Sequence, residues 1–141
     1  MIINGTKYAG LDSMLAYLCE RYLPGWKGTL TVCYNRTALK HHSTADVQLS
    51  ALLTETKMQD YFTLIMADNL SNPEEVACHE FVHLMQMVNG LLKVDLDRHQ
   101  FTWCGMVYPA SMQYDERPWE KKAFGLQGLL LREYRRNSKT K

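Results

Sequence analysis

The chain has 141 residues, 46% of them hydrophobic, and a formal net charge of +1, which suits one domain with a buried core. So even a charge argues against binding nucleic acid or membranes through the protein as a whole. No run approaches the roughly 20 apolar residues of a membrane helix and the N-terminus lacks the apolar core of a signal peptide, so a cytoplasmic protein is expected.

Leu11, Leu15, Leu18 and Tyr22 recur at helical spacing and predict a first helix over Leu11 to Tyr22, stopped by Pro24-Gly25. Thr29 to Tyr34 is short and β-branched, a strand; the polar stretch from Asn35 to Thr44 reads as a loop. His41-His42 lies in that loop, and adjacent side chains rarely share one ion, so the pair reads as exposed. Val47 to Thr54 alternates like a strand, although Leu49, Leu52 and Leu53 also suit a helix; a strand is the expectation. Tyr61 to Met66 is a clearer strand. It lacks proline, and its place just before the next helix makes it a candidate edge strand that receives an extended peptide by main-chain pairing.

Asn72-Pro73-Glu74-Glu75 has the form of a helix start, with Asn72 as N-cap and Glu75 completing a capping box, and Gly90 suits the left-handed position after the last turn. The helix between them, about Pro73 to Asn89, is apolar nearly all round through Val76, Ala77, Phe81, Val82, Leu84, Met85 and Val88, so it should be buried. In its middle stands His79-Glu80-Phe81-Val82-His83. Histidines four residues apart leave one face of a helix and can grip one Zn²⁺, with Glu80 turned toward a water on that ion. Unsatisfied polar groups on a buried helix would cost several kcal/mol, so these three side chains need hydrogen bonds, a metal or a wet cleft, and a metal site answers all three needs. Gln86, one turn beyond His83, is a candidate hydrogen-bond partner for a ligand, with a plain polar rim position as the alternative. The cysteines Cys19, Cys33, Cys78 and Cys104 lack C-x-x-C spacing and read as reduced thiols; Cys78 points about 100° away from its neighbour His79.

Beyond Gly90, Leu91 to Leu96 and Phe101 to Tyr108 predict two strands of a hairpin, with His99 exposed at its tip. A last helix starts near Pro118 and carries Ala123, Phe124, Gln127, Leu130, Leu131 and Tyr134. Residues 1–136 are expected to form the domain. The basic end, from Arg132 through Arg135, Arg136, Lys139 and Lys141, suggests a flexible tail over residues 137–141 that is solvated rather than bound to nucleic acid.

Zinc hydrolases hold their metal with three protein ligands and leave a fourth position for water, so a third donor is needed. Gln86 and Asn89 stand where the metzincin pattern requires Gly and His, which excludes that option. Glu120 stands out among the carboxylates, because its helix must pack near the metal helix and Ala123 permits close approach; a surface salt bridge is the alternative role, and Asp115 and Glu116 are next in line as ligands.

With Trp103-Cys104-Gly105-Met106-Val107-Tyr108 and Pro118-Trp119-Glu120-Lys121-Lys122-Ala123 following the histidine motif, the second half of the chain resembles the gluzincin side of the zincin-like metallopeptidases. The likeness is to small phage- and prophage-type proteins with H-E-x-x-H, W-x-G-x-x-Y and P-W-E-x-x-A in that order. The resemblance implies that His79, His83 and Glu120 bind Zn²⁺ and that Glu80 is the base. Membrane-linked gluzincins follow a similar E-x-x-A with Asp. Phe124 stands there in this chain, which leaves one histidine's partner open, and Lys122 stands where the small proteins often have a second acid.

The expected fold is α+β, a minimal zincin-like domain with a small mixed sheet packed on an N-terminal helix, the metal helix, a hairpin and a C-terminal glutamate-bearing helix. The expected reaction is hydrolysis of a peptide or protein substrate: zinc brings the pKa of its water to about 7, and Glu80 takes the proton and passes it to the leaving amine. Tyr108, Tyr114 and Arg117 are unranked donors for the oxyanion. Two rival readings are a catalytically silent zinc-binding structural or interaction protein, and a nucleic-acid-associated protease that uses the basic tail.

Overall fold

The computed structural model describes residues 2–4, 8–42, 50–56, 58–95 and 97–139. Among the described residues it is an α+β fold of four α-helices and two small sheets. In chain order the elements are β1 (Ile2–Asn4), α1 (Leu11–Tyr22), β2 (Thr29–Tyr34), α2 (Arg36–His42), β3 (Ala51–Glu55), β4 (Tyr61–Met66), α3 (Pro73–Val88), β5 (Leu92–Asp95), β6 (Gln100–Trp103), β7 (Met106–Pro109) and α4 (Pro118–Lys139).

The first sheet has the order β1-β2-β4-β3, parallel except for β3, and is therefore mixed. Side chains alternate across a strand, so Leu30 and Val32, Phe62, Leu64 and Met66, and Ala51 and Leu53 all turn to one side and are buried. Against that face pack α1, through Leu11, Met14, Leu15 and Leu18, and α3, whose Ala77, Cys78, Phe81, Val82 and Leu84 are buried nearly all round. The end of α3 follows from Gly90 at φ 75°, which lets its N–H reach the Met87 carbonyl and the Leu91 N–H reach that of Gln86, a Schellman close. No helix among the described residues is long and apolar enough to cross a membrane.

Several expectations need correction. Residues 36–42, expected as loop, are helical: the Asn35 side chain accepts the Ala38 N–H at 3.0 Å as an N-cap, and buried Leu39 anchors the turn. Strand β4 has the expected bounds but is central, paired with β2 on one side and β3 on the other, so it has no free edge to receive a peptide. The edge strand beside it is the antiparallel β3; of the expected strand over Val47 to Thr54, Ser50 lies outside β3 and residues 47–49 lie outside the described set. The hairpin is a three-stranded meander, β5-β6-β7, because Cys104 and Gly105 both take positive φ, 50° and 84°, and fold the second expected strand into a tight turn. Asn72 occupies the N-cap position of α3 without a side-chain cap bond, and Glu75 bonds Gln127 instead of closing a capping box.

Helix α4 runs on through residues 137–139, where a flexible tail was expected. Glu133, three turns from the site, accepts hydrogen bonds from Tyr17, Tyr22 and Arg21 of α1, and Asn137 donates to Tyr17 Oη at 2.9 Å. Those contacts extend the seam between α1 and α4 and carry the helix past Arg136. Residues 140–141 lie outside the described set.

Candidate metal centre

His79 and His83 leave the face of α3 that packs on α4, and Glu120 sits in the first turn of α4 facing them. Both imidazole Nε2 atoms lie 2.9 Å from the same atom, Glu120 Oε1. All three residues are buried, and their ligand-type atoms lie within 4.8 Å of one another.

The placing of Glu120 begins in the meander. Trp119, only 1% exposed, is ringed by Phe101, Tyr108 and Trp103 at centroid distances of 4.8, 5.7 and 6.2 Å. Trp103 and Tyr108, the ends of the W-x-G-x-x-Y string, therefore grip the residue beside Glu120 rather than touching the ligand cluster. Arg117 completes the support: its guanidinium donates to the carbonyls of Met112 (3.2 Å) and Ala110 (3.1 Å) and lies over the Phe101 ring.

The far side of each imidazole is also held. Gln86 Oε1 faces His83 Nδ1 at 2.8 Å, while Gln86 Nε2 donates to the Trp119 carbonyl at 3.1 Å. Gln127 Oε1 faces His79 Nδ1 at 2.7 Å, while Gln127 Nε2 donates to Glu75 Oε1 at 2.9 Å. Each amide nitrogen is committed to an oxygen that can only accept, so each amide oxygen must face its ring and receive an Nδ1–H. A neutral imidazole then presents a bare lone pair at Nε2. Two such lone pairs and a carboxylate oxygen would repel one another unless a positive charge sits among them, either as protons on the rings or as a metal ion. Two imidazoles and one carboxylate are a donor set that fits Zn²⁺.

Charge preferences follow the same geometry. Burial opposes the Glu120 carboxylate, yet hydrogen bonds from His79, His83 and Tyr114 outweigh it and bring the pKa down to about 2. Burial also opposes an imidazolium at His83, but Glu120 and Glu80 push that pKa up to about 9. Glu80 keeps some exposed surface; desolvation still raises its pKa, against the pull of His83, His79 and the Leu53 amide of β3.

None of the protein-family models, curated proteins or solved structures matches this chain. The site's chemistry is therefore read from its own residues. Among the three oxyanion candidates, Tyr114 is the one that reaches the cluster, its O–H donating to Glu120 Oε1 at 2.9 Å. Its pKa is raised by burial and by the Glu120 charge, which keeps it protonated. Tyr108 packs on Trp119 and Arg117 is tied to backbone carbonyls. Asp115, Glu116 and His99 are exposed and outside the cluster. The side chains of His41 and His42 lie outside the described set. Cys78 is buried against the Met14 sulfur, with its thiol pKa pushed up to about 12 by burial.

Sequence reasoning passed over Gln127 as a ligand partner. The signal was present: it falls two turns after Glu120, a polar residue on the helix face assigned to packing. Phe124, 56% exposed, packs with its ring 4.5 Å from that of His79. A cleft of about 110 Å³ opens elsewhere, beside Gln86 and between Val82, Met85, Trp103, Lys122 and Leu126, on the flank of α3 opposite Glu80.

Proposed function

We propose that this protein is a zinc-dependent peptidase of the gluzincin type, with His79, His83 and Glu120 as metal ligands and Glu80 as general base. The observation that carries the reading is the convergence of His79 Nε2 and His83 Nε2 on Glu120 Oε1, each at 2.9 Å, with a second carboxylate on the next bearing of the same helix. The ordered H-E-x-x-H, W-x-G-x-x-Y and P-W-E-x-x-A strings support it.

Bound zinc would supply Lewis-acid polarisation of a substrate carbonyl and acidify a water. Glu80 takes a proton from the attacking water at its carboxylate and hands it to the departing amine nitrogen. The upward pull of desolvation on Glu80 suits both halves of that task, since a stronger base accepts the proton more readily and is still able to return it. Tyr114, whose O–H reaches the cluster at Glu120 Oε1, is the candidate donor to the oxygen on which charge develops. Edge strand β3, antiparallel in the sheet and reaching Glu80 through Leu53, offers the main chain for an extended peptide.

Glu80→Gln keeps size and helix propensity but removes the proton acceptor. Zinc content and melting temperature are expected to stay near wild type while casein hydrolysis falls ~10² to 10⁴-fold. Wild-type turnover in the variant would eliminate the mechanism. No turnover in either protein across a broad peptide library would favour a silent zinc-binding protein.

A further inference from the structure

His79 and His83 look equivalent from the ion's side, yet they are held in different ways. His83 is fixed within its own helix, by Gln86 three residues on, and the amide of Gln86 is pinned by a buried backbone carbonyl. His79 is fixed from the opposite helix, by Gln127 of α4, and the amide of Gln127 is pinned by the charged side chain of Glu75, one turn before His79 on α3. If Gln127 turned its amide over, its oxygen would face the Glu75 carboxylate and its nitrogen would face Nδ1–H, losing both bonds at once. Glu75 therefore selects the amide orientation, and the amide orientation selects the tautomer of His79.

We propose that Gln127, oriented by Glu75, is the positioning residue that presents His79 Nε2 to the metal, and that this Glu75–Gln127 relay sets metal affinity. The proposal rests on the metal-centre reading above. The relay places an amide, and not a carboxylate, against the imidazole, with the negative charge one residue further out. Phe124 packs on the His79 ring and provides no polar atom for it, so Gln127 is the group that satisfies Nδ1.

The test measures zinc affinity by chelator competition, with the nitrogen-15 NMR tautomer of His79 in the metal-free protein as a second readout. Gln127→Met keeps length and apolar packing but accepts no comparable bond, and is expected to weaken zinc binding ~10 to 100-fold and to mix the His79 tautomers. Gln127→Glu still accepts Nδ1–H but faces Glu75 as a like charge, so it too weakens binding. Glu75→Gln in the same molecule removes that clash, and the Gln127→Glu/Glu75→Gln double variant is expected to recover most of the loss. Circular dichroism checks that each variant is folded, and the double variant keeps the test decisive if Gln127→Met is not. Tight zinc binding by wild type with equal affinity in Gln127→Met, or no recovery in the double variant, would overturn the relay. Wild type that binds no zinc at all would overturn the metal-centre reading itself, and the proposal with it.

Discussion

The two sheets of this molecule use their strands differently. In the first, β2, β4 and β3 bury alternate side chains against α1 and α3, and Leu30, Leu64 and Met66 are exposed by 1% or less. Among the described residues of the meander, Leu92 is the one buried, and Met106 and Val107 stand more than 60% exposed. The first sheet contributes apolar burial to the fold. The second contributes three aromatic rings around Trp119 and so fixes where Glu120 points. Stability and ligand placement are therefore separable to a degree that substitutions can measure.

The largest effect is expected from Leu64→Ala in the central strand. It should lose ~2 to 5 kcal/mol in denaturant unfolding, because the cavity lies in a close-packed layer. Retained stability there would mean that the first sheet is not the core. Tyr108→Ala in the meander should do the reverse. Its half-buried ring adds little to global stability, but loosening Trp119 and Glu120 should weaken zinc binding by about tenfold, roughly 1.4 kcal/mol, on the scale of a residue behind a ligand. A fall in melting temperature with unchanged zinc affinity would refute the positioning role.

Two glycines sharpen the contrast. Neither has an atom within 4 Å of an added Cβ, so only backbone preference decides the sign. Gly125→Ala, inside α4, should stabilise by ~0.5 to 1 kcal/mol. Gly105→Ala, held at φ 84° in the meander turn, should destabilise by about 1 kcal/mol. Thermal melts of both variants would decide, and like signs would mean that one backbone conformation is misassigned.

The smallest effect concerns the seam between α1 and α4. The hydrogen bond from Tyr22 leads the causes that lower the Glu133 pKa, with Arg21 and Tyr17 adding to it. A depressed carboxylate stabilises the fold above its unfolded pKa, about 4.5, and the contribution is lost as pH falls through the lower folded value. The seam is open to solvent, so the contribution should stay under ~1 kcal/mol. Tyr22→Phe should therefore flatten the acid limb of the melting-temperature profile below about pH 4.5. An unchanged limb would remove Glu133 as its source.

What could be read from the chain beforehand divides along the same line. Helices α1 and α3 and strands β2 and β4 announced themselves through periodicity and stop signals, because each buries a regular stripe. The buried cluster of His79, His83 and Glu120 was legible because the metal chemistry it suits constrains residue type, with helical spacing marking the histidines and the P-W-E-x-x-A string marking Glu120. Strand order was not legible: nothing within Tyr61–Met66 records that two partners flank it, since pairing is a property of the whole sheet. Residues 36–42 misled because Asn serves loops and N-caps equally well. Gln127 was marked only by its place two turns after Glu120, because its partner His79 lies on another helix, at a spacing that sequence alone does not supply.

The meander also has a consequence for how the chain tolerates change. It departs from the end of α3, where the Leu91 carbonyl takes the Cys104 N–H at 2.8 Å, and it returns at Trp119, whose carbonyl Gln86 already holds. Departure and return are thus clamped to the same end of α3. The β5–β6 tip, with Asp97, Arg98 and His99 exposed, lies beyond both clamps. Extra residues there would lengthen a closed excursion without moving its ends, and doubling such a loop costs only about 0.6 kcal/mol in closure entropy. An epitope or a small folded module spliced into that tip would ride outside the His79–His83–Glu120 cluster and leave its spacing intact.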